Sequence, residues 1–215
     1  MTVRRVLLLC GSPRPSGSNS AALLNGLRDR LDGRAETTLC RAADVLKESR
    51  GPSAAEVLAF DAAVLAFPLY VDGVPASLYD SLEAIGRAAA NDPEAARTLR
   101  FHAIANNGFY EARQNAVALD MLGSWCDARG IARGRSLALG AGEMAQAAPI
   151  GRGPLTSLGK ALDRLADDVA EGRPGEPLFV EPDFPRALYQ LAGHAQWKRQ
   201  AKANGLKPKE LLRRG

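Results

Sequence analysis

Ten residues, Gly11 to Ser20, gather the most chemically suggestive side chains of this sequence. They bring together the hydroxyls of Ser12, Ser16, Ser18 and Ser20, the Asn19 amide and the Arg14 guanidinium. Many hydrogen-bond donors around one fixed cation suit a phosphate monoester, and small residues let backbone approach it. The same residue types cap helices, so a loop that only turns the chain is the competing reading. It is not a Walker loop. Gly11 and Gly17 stand six positions apart rather than five, and Ser18-Asn19 occupies the place of Lys-Ser/Thr. It also lacks the closely spaced glycines of the Rossmann dinucleotide fingerprint.

A strand before this loop and a helix after it must position these groups. Val6-Leu-Leu-Leu-Cys10 is a short apolar run ending at Gly11, the pattern of a buried strand. Ala21, Ala22, Leu23, Leu24 and Leu27 then recur at helical spacing, which predicts a helix over about Asn19 to Leu31. The first N–H groups of such a helix have no partner within it, and its dipole is positive at that end.

The pattern repeats along the chain. Strands are predicted near Glu36–Arg41, Asp61–Phe67, Arg100–Ala105 and Arg135–Leu139. Helices are predicted near Ala54–Phe60, Ala76–Ala89, Ala112–Arg129 and Leu155–Ala170, with Gly130 as a C-cap. Asn91-Asp-Pro93 reads as punctuation. Alternation of this kind predicts a doubly wound parallel sheet with helices on both faces. Ligands then bind outside the carboxyl ends of the strands. Two more strand-end loops, Pro68–Pro75 and Asn106–Tyr110, carry Leu69, Tyr70, Val71, Phe109 and Tyr110 with Gly73 and Gly108 between them. Apolar and aromatic side chains at loop tips beside an anion-seeking loop describe a slot for a flat ring with a phosphorylated tail.

The bulk numbers are those of an ordinary soluble globular protein. The chain has 215 residues, 46% hydrophobic and 24% charged. No apolar run approaches the roughly 20 residues of a membrane span, and Met1 to Val6 leads directly into a strand rather than a signal peptide. Cys10, Cys40 and Cys126 are scattered, without metal spacing, which points to a reducing cytoplasm. From Arg186 to Gly215 there are eight basic residues and one acidic, against 28 and 24 in the whole chain, so the rest is net acidic.

Gly11-Ser-Pro-Arg14 with Ser18-Asn-Ser20, Pro68-Leu-Tyr-Val-Asp-Gly-Val-Pro75 and Asn106-Asn-Gly-Phe-Tyr-Glu111 together resemble the flavodoxin-like NAD(P)H-dependent FMN oxidoreductases. Pro185-Arg186, Tyr189, Gly193, Trp197 and Ala203-Asn-Gly-Leu206 are similar to the tail of one bacterial branch. The resemblance implies a three-layer α/β sandwich on a five-stranded parallel sheet of order 2-1-3-4-5, with a C-terminal helical extension. It implies that Ser12, Arg14, Ser18, Asn19 and Ser20 hold the FMN phosphate. Pro68, Leu69, Tyr70 and Val71 then line one side of the ring. Asn107, Gly108 and Phe109 line its pyrimidine end, with backbone N–H groups near N1 and O2, where a reduced flavin anion concentrates charge.

The implied reaction is hydride transfer from NAD(P)H to FMN, then electron delivery to a flavin, quinone or similar small acceptor. The cofactor carries that chemistry, so no catalytic acid, base or nucleophile and no metal is nominated. His102 lies within a strand as a packed residue. Gly140-Ala-Gly-Glu-Met-Ala145 matches G-x-G-x-x-A but reads as a strand-end turn bordering the nicotinamide site. Three scattered cysteines cannot hold the iron–sulfur cluster of some relatives. The expected organisation is an FMN-binding domain over residues 1–172 and a Pro/Gly-rich linker with a basic helical tail over 173–215. The tail reads as an amphipathic helix docked on its own domain or a twin subunit, or as a surface for acidic partners, a membrane or the phosphates of NADPH. A cytoplasmic homodimer is expected, with no nucleic-acid partner and no membrane span. The alternatives are a flavodoxin-type electron carrier, against which Arg14 and the basic tail count, and a flavin-free phosphate-binding domain.

Overall fold

The computed structural model describes residues 4–47 and 50–206. The strands are β1 (Arg4–Cys10), β2 (Ala35–Arg41), β3 (Ala62–Pro68), β4 (Arg100–Asn106), β5 (Ala132–Leu139) and β6 (Leu178–Val180). The helices are α1 (Asn19–Leu31), α2 (Ala54–Val57), α3 (Tyr79–Asn91), α4 (Pro93–Thr98), α5 (Ala116–Ala128), α6 (Met144–Ala147), α7 (Thr156–Glu171) and α8 (Arg186–Ala203). Contacts divide the chain into two units, Met1–Pro182 and Asp183–Gly215.

The first unit is an α/β sandwich of the flavodoxin type. Its parallel strands run in the order β2-β1-β3-β4-β5-β6. Successive side chains of a strand point to opposite faces, so each apolar strand feeds two cores. Leu7, Leu9, Leu65 and Phe67 join one core under α3 and α5, with Leu82, Ile85, Leu119 and Leu122. Val6, Leu8, Val64 and Ile104 join the other under α1 and α7, with Leu23, Leu27, Leu162 and Leu165. β1 and β3 are buried almost throughout because helices cover both faces, whereas edge strand β2 has no fully buried residue.

The sheet has six strands, which corrects the five implied by the resemblance. Leu178, Phe179 and Val180 pair in parallel with Leu137, Ala138 and Leu139. Without them the edge of β5 would leave its backbone groups unpaired. Gly172 to Asp183, with Pro174, Gly175, Pro177 and Pro182, reads from sequence as a linker or an extended strand-like arm, and three residues are too few to show which strand they would join. α4 also went unseen. Asp92 caps it through Oδ1, which accepts from the Ala95 N–H at 3.0 Å, and Pro93 opens its first turn. The residues read as punctuation are therefore a helix start. Gly130 ends α5 with φ +67°, the left-handed geometry of a C-terminal cap.

The second unit is built on α8, whose apolar residues do not gather on one face, unlike the amphipathic helix expected there. Lys207, Lys209, Arg213 and Arg214 of the basic tail, and Met1 to Val3 at the start, lie outside the described residues.

Candidate functional site

The strand order reverses beside β1: β2 lies on one side of it and β3 on the other. At such a switch point the two following loops part and leave a crevice at the carboxyl edge of the sheet. The β1–α1 loop rises there. Ser18 caps α1, its Oγ accepting from the Ala21 N–H at 3.1 Å. The N–H groups of Asn19 and Ser20 precede any helical carbonyl that could accept from them. Ser12, Ser18 and Ser20 are buried, and Arg14 is exposed. Ser12 Oγ accepts from the Arg14 N–H at 3.3 Å, which folds the loop back on itself.

Seven of the expected residues meet here. Ser12, Arg14, Ser18, Asn19 and Ser20 from the first loop and Pro68 and Tyr70 from the second line one cavity of about 110 Å³, together with Asn106. That is room for a single phosphate-sized group. Asn106 was not anticipated as a site residue. It is buried at the end of β4 and donates through Nδ2 to Ser20 Oγ at 3.0 Å and to the Phe67 carbonyl at 2.8 Å. Its place two residues after Ile104 puts it on the α1 face, so strand alternation was the signal that could have found it. Gln146 was also missed. It reaches from α6 and donates to Asn19 Oδ1, linking the phosphate-seeking loop to the turn after β5.

Leu69 and Val71 lie beside this cavity rather than on its wall. Leu69 packs against the core under α3 and α5, and its N–H donates to the Asn106 carbonyl at 2.7 Å. Tyr70 and Gly73 exchange both backbone hydrogen bonds at 3.0 Å, closing a tight hairpin with Val71 and Asp72 at its tip. Both tip residues have positive φ, +48° and +57°. That geometry suits Asn-Gly and strains a β-branched valine. Val71 is fully exposed (101%), so no packing compensates for the strain inside this chain. Backbone strain of this kind concentrates at binding sites.

The third loop is organised by Asn107. Its Oδ1 accepts from the Phe109 N–H at 2.8 Å and its Nδ2 donates to the Glu111 carbonyl at 3.2 Å. Its own N–H donates to the Leu139 carbonyl at 3.1 Å. The N–H groups of Asn107 and Phe109 are therefore engaged inside the protein, not presented to a ligand. Phe109 is exposed, and a Cβ on Gly108 would meet nothing within 4 Å. The glycines of Gly140–Ala145 serve this loop. A Cβ at Gly140 would collide with the Tyr110 carbonyl oxygen, and one at Gly142 would come within 2.9 Å of Asn106 Oδ1. Close packing of two strand-end turns accounts for both. β6 braces the same loop: Glu181 Oε1 accepts from the Ala112 N–H at 3.0 Å, and the Tyr110 hydroxyl donates to the Pro182 carbonyl at 3.3 Å.

His102 lies within β4, fully buried and remote from these loops. Its Nδ1 donates to the Arg135 carbonyl at 3.2 Å, and Nε2 has no partner. Burial pushes its pKa down to about 4, so it is a neutral packing residue. The cysteines are free thiols, and burial lifts Cys126 to about 12. Among the described residues no group of His, Cys, Asp and Glu is arranged to hold a metal, and no helix is long and apolar enough to cross a membrane.

No protein-family model and no curated protein matches the chain. Solved structures share its fold. An apo NADH:FMN oxidoreductase superposes with a TM-score of 0.57 at 13% identity, over 81% of this chain and 92% of its own. An azoreductase from Bacillus anthracis str. Sterne superposes at 0.53 and 14%, over 79% and 100%. A flavodoxin from the domain Archaea superposes at 0.53 and 10%, over 78% and 97%. The fold is thus that of flavodoxin-like FMN reductases, and equally that of a flavodoxin.

Proposed function

We propose that the chain is an FMN-dependent NAD(P)H oxidoreductase. Bound FMN would supply the ability to accept a hydride from NAD(P)H and pass electrons to a small acceptor such as a flavin or quinone. The observation that carries this reading is the convergence of five loop residues, Ser12, Arg14, Ser18, Asn19 and Ser20, on one small cavity at the switch point. Its donors are hydroxyls, helix-start N–H groups and one guanidinium, and among the described residues no carboxylate lines it. That donor set fits a phosphate monoester. A satisfied cap would need only Ser18.

In this reading the β1–α1 loop anchors the phosphate, and Asn106 holds Ser20 in place. Pro68, Leu69, Tyr70 and Val71 take one face or edge of the ring, and Asn107 shapes the loop that offers Gly108 and Phe109 to its other end. The protein orients and shields, and moves no proton of its own. Arg14 favours the enzyme over the carrier, because a carrier's phosphate loop is expected to lack a cation. A homodimer is supported by the groove between α3 and α5. It has a volume of about 420 Å³ and is walled by Tyr79, Leu82, Met121, Leu122 and Trp125, with Tyr79 and Met121 exposed. We assign the second unit, from Asp183, an accessory role to this cytoplasmic, FMN-binding body.

The test is direct. The full chain is titrated with FMN, then with NADH and NADPH under anaerobic conditions. Uptake of one FMN per chain and bleaching by a nicotinamide are expected. Uptake with no bleaching by either would make the protein a carrier. Refusal of FMN would leave a flavin-free phosphate-binding domain.

A further inference from the structure

The β1–α1 loop has a second side. Arg14 and Ser18 also line a larger cavity of about 340 Å³ on the side of edge strand β2, and Arg41 and Arg50 face it as well. Among the described residues, none of these three guanidiniums has an acceptor within the protein. Several surface arginines elsewhere on this body are matched. Arg30 pairs with Asp163 at 2.6 Å, Arg34 with Asp167 at 2.9 Å and Arg129 with Glu83 at 3.2 Å. Three unmatched cations around one depression, on a body that is net acidic outside its tail, form a site for an anion with more charge than one arginine can serve.

The remaining walls narrow the class of anion. Leu39 and Pro15 offer apolar surface, and Leu39 is partly exposed although it belongs to a strand. Cys40 adds a neutral thiol, since burial and the neighbouring Asp44 push its pKa up to about 11. Among the described residues Asp44 is the one carboxylate lining the cavity, an acceptor for amine or hydroxyl groups beside the cations. Apolar wall, acceptor and clustered guanidiniums together describe a phosphorylated nucleoside rather than a bare ion.

We propose that this cavity binds the adenosine end of the nicotinamide co-substrate, with Arg41 and Arg50 gripping the 2′-phosphate that separates NADPH from NADH. Guanidinium forks pair two-fold with phosphate oxygens, whereas the 2′-hydroxyl of NADH would leave both arginines without an anion. The assignment deepens the oxidoreductase reading and rests on it for the identity of the ligand. Arg14 and Ser18 belong to both cavities, so the co-substrate's phosphates sit across one loop from the flavin's.

The experiment uses the full chain, with and without FMN, titrated calorimetrically with 2′,5′-ADP, 5′-AMP and inorganic phosphate. In wild type, 2′,5′-ADP binds about ten-fold or more tightly than 5′-AMP, the size of a charge-assisted contact at an exposed site. Arg41→Ala and Arg50→Ala each remove about ten-fold of that affinity while FMN affinity is retained, which shows that the fold is intact. In turnover, the KM for NADPH rises by a similar factor with kcat held. Equal binding of 2′,5′-ADP and 5′-AMP overturns the proposal, as does an Arg41→Ala/Arg50→Ala double variant that binds like wild type. Inorganic phosphate competing as well as 2′,5′-ADP overturns the adenosine assignment. Failure to take up FMN would sink the oxidoreductase reading instead, and the titration on the flavin-free chain still reads the cavity.

Discussion

Asn106 and Ser20 are joined by a hydrogen bond of 3.0 Å between the end of β4 and the first turn of α1. The same amide reaches the Phe67 carbonyl at 2.8 Å, so one buried side chain ties three elements at the switch point. Asn106→Ala leaves that carbonyl short of a donor and frees the Ser20 hydroxyl. A loss of roughly 1–3 kcal/mol in stability is expected, the cost of unsatisfied buried polar groups. FMN affinity should fall with it, because the cradle is no longer held. Urea unfolding and an FMN titration on the same variant measure both.

Among the described residues Arg14 is the one cation on the small cavity. Arg14→Ala should weaken FMN binding several-fold or more, since the phosphate loses its charged donor while the hydroxyls remain. Fluorescence quenching of FMN reads the change. Unaltered affinity would place Arg14 wholly on the β2 side of its loop.

Val71 sits at φ +48° with its side chain in solvent. Left-handed geometry costs a β-branched residue roughly 1–2 kcal/mol, and asparagine tolerates it. Val71→Asn should therefore stabilise the ligand-free protein by about 1 kcal/mol, seen as a raised unfolding midpoint. If the valine packs on the flavin, the same change lowers FMN affinity. A variant that gains neither stability nor loses affinity would show that the tip serves neither purpose.

His102 makes stability depend on pH. Its folded pKa, about 4, lies below the ordinary 6.5 because burial opposes the charged ring, more than the Arg135 carbonyl favours it. Above pH 6.5 both folded and unfolded histidine are neutral, and the full stability is present. As pH falls towards 4 only the unfolded chain takes up the proton, so stability is lost across that window. Between pH 7 and 4.5 the loss is ~2 kcal/mol. His102→Gln should flatten this part of the denaturation profile.

Gly134 and Gly140 show how far packing constrains single positions. β5 carries a bulge opposite His102, and a Cβ at Gly134 would lie 2.5 Å from the imidazole. At Gly140 the obstacle is the Tyr110 carbonyl, which cannot swing away like a side chain. Gly140→Ala should cost roughly 3 kcal/mol or displace the 106–110 loop, and limited proteolysis of that loop distinguishes the two.

Much of the fold was legible in local pattern. Apolar runs such as Val6 to Leu9 and Ala62 to Phe67 fit strands buried on both faces, and the stripe Leu23, Leu24, Leu27 fits the inner side of a helix. The anion-seeking character of Gly11–Ser20 was legible too, because hydroxyls, amide and guanidinium are contiguous in sequence. β6 was not legible. Three residues carry no periodicity, and only the unpaired edge of β5 makes them a strand.

Taken alone, the chain's order of residue types determined which elements form and which loop seeks phosphate, since both depend on neighbours a few positions apart. Tertiary structure decided what those elements bring together. Asn106 and Ser20 lie 86 positions apart, and Gln146 and Asn19 lie 127 apart. Arg14, Arg41 and Arg50 share a cavity only because β2 pairs with β1. Sequence spacing carries no record of such distances; strand pairing and burial set them, and the ligand cavities are built from them.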